Sequence, residues 1–79
     1  MEKNEILTQV KDVVSSVLKV DSSEITDDSN FIFDLGADSM QSVELVAGFE
    51  EAFDIEMDQD RALEIQSIKD AANFIAEYL

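Results

Sequence analysis

A chain of 79 residues buries only about 60% of the surface its unfolded form exposes, which leaves material for one core and a single domain spanning residues 1–79. It has no Cys and no His, which excludes disulfide staples, thiolate metal sites and a cysteine nucleophile, removes the commonest general base, and argues against self-contained catalysis. Nineteen acidic against five basic residues give a net charge of -14, which argues against binding nucleic acid or anionic lipid and for basic protein partners.

The first periodic segment runs from Glu5 to Lys19, with Ile6, Leu7, Val10, Val14, Val17 and Leu18 at the spacing of one helix face. Its β-branched valines lower intrinsic helix propensity, so packing must hold it more than local preference does. Asn4 is the expected N-cap, and Lys19 falls near the negative end of the helix dipole. From Asp21 to Asp38 the periodicity stops and polar turn formers dominate, which predicts a long loop. Loops of this length tend to be functional or packed by their own side chains. Ile25, Phe31 and Leu35 are its expected anchors, and Gly36 supplies backbone freedom just before the next helix.

The second helix is predicted over Ser39 to Phe53, with Asp38 as N-cap and Gln41 completing a capping box. A turn through Asp54 to Asp58 precedes a brief third helix, Gln59 to Ile65. The last helix opens with Ser67 as N-cap and places Ile68, Ala71, Ala72, Ile75 and Leu79 on one face. No sustained alternation argues for a strand, and no repeat is visible. Four helices, the third of them short, and a long first loop account for the chain, so the expected fold class is all-α.

The charge is unevenly placed along these elements. Lys3, Lys11, Lys19, Arg61 and Lys69 all lie outside Val20 to Asp60, a stretch that holds 13 of the 19 carboxylates. No EF-hand loop is present, since Asp58-Gln59-Asp60 lacks the Gly and the terminal Glu at their offsets, and no metal site is read from the sequence. No window supplies the ~20 apolar residues of a membrane span, and no secretory signal opens the chain. A monomeric cytoplasmic protein without membrane insertion is the expectation.

On the second helix, placing residues about 100° apart gives two apolar surfaces. Leu45, Val46, Phe49, Ala52 and Phe53 form the natural core stripe. Met40, Val43 and Ala47 cluster on the other side, near Glu44 and Glu51. A domain this small cannot easily bury both, so the second set reads as a solvent-facing strip that docks a basic partner. The alternative is that Met40 and Val43 pack against the long loop. Ser39 sits at the helix N-terminus, where unpaired N–H groups and the positive dipole end favour a phosphate; taken alone, a Ser after an Asp at a helix start is usually capping chemistry.

The run Asp34-Leu35-Gly36-Ala37-Asp38-Ser39-Met40 resembles the modification site of acyl carrier proteins, whose usual form is Asp-Leu-Gly-Ala-Asp-Ser-Leu. The similarity continues through Val43-Glu44-Leu45-Val46 and Glu50-Glu51-Ala52-Phe53-Asp54-Ile55-Glu56, and covers most of the chain in order. The resemblance implies a right-handed four-helix bundle with a long first loop and a short third helix, a Ser39 esterified by the 4'-phosphopantetheine of coenzyme A, and acyl intermediates that ride as thioesters on its terminal thiol. A separate magnesium-dependent phosphopantetheinyl transferase, the holo-carrier synthase, would install the arm. Enzymes of fatty acid, lipid or polyketide synthesis, with basic docking patches, would then meet Asp38, Met40, Val43, Glu44, Ala47 and Glu51. No residue is assigned a catalytic role.

The sequence also departs from the family pattern. Met40 replaces a Leu, Gln41 a common acidic residue, Phe33 a frequent carboxylate and Ala47 a larger Met. Gly48 sits mid-helix at a cost of roughly 1 kcal/mol, to make room for a bulky neighbour such as Phe49 or for a partner. The bundle further implies a cleft between helices two, three and four, lined by Val46, Phe49, Leu63, Ile65 and Ile75. The rival readings are an acidic helical adaptor whose Ser39 only caps, and an aminoacyl or peptidyl carrier.

Overall fold

Lys3–Leu18 forms helix α1, and its Ile6, Val10 and Val14 are buried in register at every fourth position, as an amphipathic stripe requires. Leu7, Val13, Val17 and Leu18 pack at the edge of the same stripe. The structure, a computed structural model, describes residues 2–79. The helix begins earlier than the sequence predicts: Glu2 is its N-cap, without a side-chain cap bond. Asn4 lies inside the first turn, where its carbonyl accepts from the Thr8 hydroxyl at 2.9 Å. This end is exposed, so water satisfies the first amides and no capping side chain is needed.

Ser39–Phe53 forms α2, Gln59–Ala62 forms α3 and Ile68–Ala76 forms α4. α1 packs against both α2 and α4. Val10, Val14, Ile68 and Ile75 are the largest fully buried side chains and mark the centre of the core. Removing each from water stabilises the fold by about 1.5–3 kcal/mol. Phe74, which the helical reading of the last segment passed over, is buried beside Ile75.

Two predicted core positions fall outside the core. Ala52 is exposed because it lies at the margin of the α2 stripe. Leu79 is exposed because α4 ends at Ala76 and tightens into i→i+3 bonds, Glu77 N–H to Phe74 O and Tyr78 N–H to Ile75 O, which turn the chain off the apolar face. The same tightening ends α3 at Ala62 rather than Ile65: Glu64 N–H donates to Arg61 O at 3.1 Å and Ile65 N–H to Ala62 O at 3.2 Å.

The long first loop is an ordered part of the fold. A short 3-10 turn, Ser22–Glu24, is capped by the Asp21 carboxylate, and Ile25 and Phe31 are buried as anchors, with Leu35 half-buried. The loop is stitched to the start of α4 by backbone bonds: Phe31 N–H to Gln66 O at 2.9 Å, Ile68 N–H to Ser29 O at 3.1 Å and Lys69 N–H to Asp27 O at 2.9 Å. The Ser29 hydroxyl, buried, accepts from Thr26 N–H at 2.9 Å. These bonds fasten the middle of the loop to the N-terminus of α4, just before the chain enters α2. No helix among the described residues is long and apolar enough to cross a membrane.

Candidate functional site

The N-terminus of α2 is fixed from both sides of Ser39. Upstream, Gly36 adopts φ +75°, a left-handed conformation that L side chains rarely take, and the buried Ala37 donates its N–H to Phe31 O at 2.8 Å. Downstream, the Asp38 carboxylate accepts from Gln41 N–H at 2.8 Å while Gln41 Oε1 accepts from Asp38 N–H at 3.1 Å. The capping box read from the sequence is thus formed in both directions. The Ser42 hydroxyl adds a bond to Asp38 O at 3.0 Å.

Ser39 is the first residue of α2 and is exposed. The Gln41 and Ser42 amides are taken by Asp38, so among the described residues those of Ser39 and Met40 remain open at the positive end of the helix. The hydroxyl of an exposed serine beside open amides at a helix N-terminus suits a phosphate ester. That is the chemistry a phosphopantetheine linkage requires, and the residues present fit it.

Asp38, Met40, Val43, Glu44, Ala47 and Glu51 are all exposed, Met40 at 74% and Val43 at 51%. Met40, Val43, Glu44, Ala47 and Glu51 share the side of α2 opposite the buried Leu45, Val46, Phe49 and Phe53, and Asp38 stands at its N-terminal end as the N-cap. Met40 and Val43 therefore do not pack beneath the long loop. The ion pairs among the described residues are Lys11–Asp27 at 2.8 Å, Arg61–Glu77 at 3.3 Å and Lys69–Asp28 at 3.8 Å. None of them involves a carboxylate of α2, so the negative field of this face is not neutralised internally.

Behind α2 lies a small cavity of about 20 Å³, lined by Val46, Phe49, Leu63, Ile65 and Ile75 as the sequence predicts, and also by Phe31, Met57 and Phe74. It has room for about one water molecule. Phe31 and Phe49 meet across it with centroids 6.5 Å apart. Its α3 side is held by bonds that sequence reasoning missed. Glu50 Oε2 accepts from Met57 N–H at 2.9 Å, and the Tyr78 hydroxyl accepts from Asp58 N–H at 3.0 Å. The guanidinium of Arg61 lies 4.9 Å from the Phe74 ring centroid. Partners 7 and 20 residues apart leave no local sequence signal.

Away from this region, Asp21 is held below the ordinary carboxylate range by the Ser23 backbone N–H and then by the Ser23 hydroxyl.

Comparison with known proteins bears directly on this geometry. Residues 8–75 match the family model described as "Phosphopantetheine attachment site". The chain is 46% identical over 77 residues to an acyl carrier protein of Guillardia theta, covering 98% of this chain and 95% of the relative. It is 51% identical over 75 residues to one of Prochlorococcus marinus, covering 95% and 94%, and 47% identical over 74 residues to one of Caulobacter vibrioides, covering 94% and 95%. The reading as an unmodified adaptor is not favoured. With its all-helical fold and near full-length matches, the chain belongs to the acyl carrier protein family, whose members bear a covalently attached 4'-phosphopantetheine and act as carriers rather than catalysts.

Proposed function

We propose that Ser39 bears the 4'-phosphopantetheine and that residues 1–79 act as one carrier domain, presenting acyl groups to enzymes of fatty acid, lipid or polyketide synthesis. The observation that carries the assignment is the exposed Ser39 at the first position of α2, framed by the capping box of Asp38 and Gln41. This chain supplies only the oxygen: a phosphopantetheinyl transferase joins the Ser39 oxygen to the phosphorus that carries the arm as the pyrophosphate bond of coenzyme A breaks, and adenosine 3',5'-bisphosphate and the hydroxyl proton leave. The arm's terminal thiol supplies the thioester chemistry that a protein without Cys cannot.

Members of this family work with such a transferase and with synthase enzymes. For this chain, the docking surface is the exposed side of α2, where Met40, Val43 and Ala47 offer apolar contact while Asp38, Glu44 and Glu51 face Lys or Arg on the partner. A net charge of -14 speeds the encounter with basic patches and disfavours self-association, in keeping with a cytoplasmic monomer. The cavity behind α2 is the shelter for the acyl chain. At about 20 Å³ it must widen to admit one, and α3, four residues long, is the wall that yields.

Incubation of the purified protein with coenzyme A, Mg²⁺ and a broad-specificity transferase tests the assignment. A single mass addition is expected on the peptide containing Ser39, and none in Ser39→Ala. Addition that persists in Ser39→Ala, or no addition to the natural chain, would refute it.

A further inference from the structure

Phe33 stands in the first loop six residues before Ser39 and is 86% exposed, with Ile32 beside it at 52%. Single exposed apolar side chains are common and need no explanation. Here, however, the two stand together on a backbone that is fully tied down. Asn30 Oδ1 accepts from the N–H groups of both Ile32 and Phe33 at 2.9 Å, and Asp34 Oδ2 accepts from Asn30 N–H at 2.7 Å. Asn30 O accepts from Asp34 and Leu35, Ile32 O from Gly36, and Phe31 O from Ala37. With Phe31 bonded to Gln66 O and Asp38 to Gln41, every backbone N–H from Asn30 through Asp38 donates within the protein. The loop is rigid where it exposes its largest apolar side chain.

A side chain presented this way binds with little ordering cost, because the backbone that carries it is already fixed. Its position relative to Ser39 also matters. Six residues span at most about 20 Å, and a standard interface covers roughly 800 Å² per partner, a disc of roughly 16 Å radius. The two lengths are comparable, so an enzyme seated over Ser39 and α2 can reach the loop tip. The surroundings select the partner's chemistry: Asp27 and Asp28 on this loop are paired with Lys11 and Lys69, but Asp34 beside Phe33, and Asp38, Glu44 and Glu51 beyond it, enter none of the ion pairs among the described residues, and no Lys or Arg occurs between Val20 and Asp60. A second copy of this chain or an anionic lipid surface would be repelled. A protein pocket that is apolar at its base and rimmed by Lys or Arg would be attracted.

We propose that Phe33 is a specificity anchor: it inserts into an apolar, basic-rimmed pocket on one or more of the enzymes that exchange cargo with this carrier, and so selects among them. The proposal rests on the reading of the α2 face as the docking surface, and adds a second contact outside that helix.

The test uses the phosphopantetheinylated, full-length protein as substrate for the purified acyl-loading and acyl-elongating enzymes of its source organism. Natural chain, Phe33→Ala, Phe33→Leu and the double variant Glu44→Gln/Glu51→Gln are compared. At an exposed site Phe33→Ala should leave the melting temperature unchanged, so a kinetic effect reports contact with the enzyme. For at least one enzyme, Phe33→Ala is expected to lower kcat/KM by about threefold or more through KM with kcat held, and Phe33→Leu to recover part of it. A smaller effect with every enzyme overturns the proposal. If the Glu44/Glu51 variant is impaired in that case, the α2 docking surface stands and the Phe33 anchor alone fails. If that variant also behaves as the natural chain does, the docking surface fails with it.

Discussion

A Cβ added to Gly48 of α2 would lie 2.8 Å from Cγ1 of Val13 on α1, closer than real side-chain contacts allow, and 3.7 Å from Cγ2 of Val17. The mid-helix glycine therefore exists for the α1–α2 approach, not for Phe49 or a visiting enzyme.

Gly48→Ala sets two effects against each other. Alanine gains roughly 1 kcal/mol of helix propensity, but the clash falls on a valine whose χ1 is stiff, and overpacking costs about 1–3 kcal/mol. Net destabilisation on the order of 1 kcal/mol is expected by urea denaturation. In a Val13→Ala background the sign should reverse, which a double-mutant cycle reads directly.

Asp38 has two roles that substitution can separate. Asp38→Ala removes the acceptor for Gln41 N–H and is expected to cost about 1 kcal/mol. Asp38→Asn keeps an acceptor but loses the charge, and should stay within about 0.5 kcal/mol of the natural chain. If Asp38 also meets the transferase, Asp38→Asn should raise the KM of modification roughly threefold or more. Thermal melts and transferase kinetics on both variants check this.

The Asp21 carboxylate, bonded by the Ser23 N–H and hydroxyl at 2.9 Å each, is held below its ordinary range. A depressed carboxylate contributes stability that is present above its unfolded pKa and is lost as pH falls through the folded one. Asp21→Asn keeps the acceptor without the charge. The stability difference, natural chain minus Asp21→Asn, should therefore fall as pH drops from about 5 to about 3, as measured by denaturation across that range. A difference that rises toward acid would contradict the assignment.

The cavity makes a prediction about cargo length. Phe49 fills part of the space behind α2, and Phe49→Leu should cost about 1–2 kcal/mol while enlarging it. With acyl groups of increasing length on the arm, hydrogen exchange should show protection rising to a limit, and the limit should move to longer chains in Phe49→Leu. Protection independent of chain length would count against sheltering.

The elements legible in the sequence were those written by local rules. α2 runs from Ser39 to Phe53 as read, because Asp38 and Gln41 announce its start, and Ser67 announces α4 in the same way. The exposed strip opposite Leu45 and Phe49 followed from the helical period. What could not be read depends on partners distant in sequence: the Val13 that accounts for Gly48, the Glu50–Met57 bond, and the stitching of Ser29 and Phe31 to residues beside α4. The loop's rigidity escaped for a related reason, since a run of polar residues looks the same whether its amides face water or one another. Asn4 misled because a strong cap former is not used where solvent reaches the helix end.

The bond between the Tyr78 hydroxyl and Asp58 N–H makes the molecule its own optical probe. Tyr78 is the sole tyrosine in a chain without tryptophan, so emission in the tyrosine band arises from one place. That place is the seam between α4 and the start of α3, with the Phe74 ring edge-on at 5.3 Å. Displacement of the α3 wall by a guest would break the bond and change the signal, so filling and emptying of the carrier can be followed in real time without a dye.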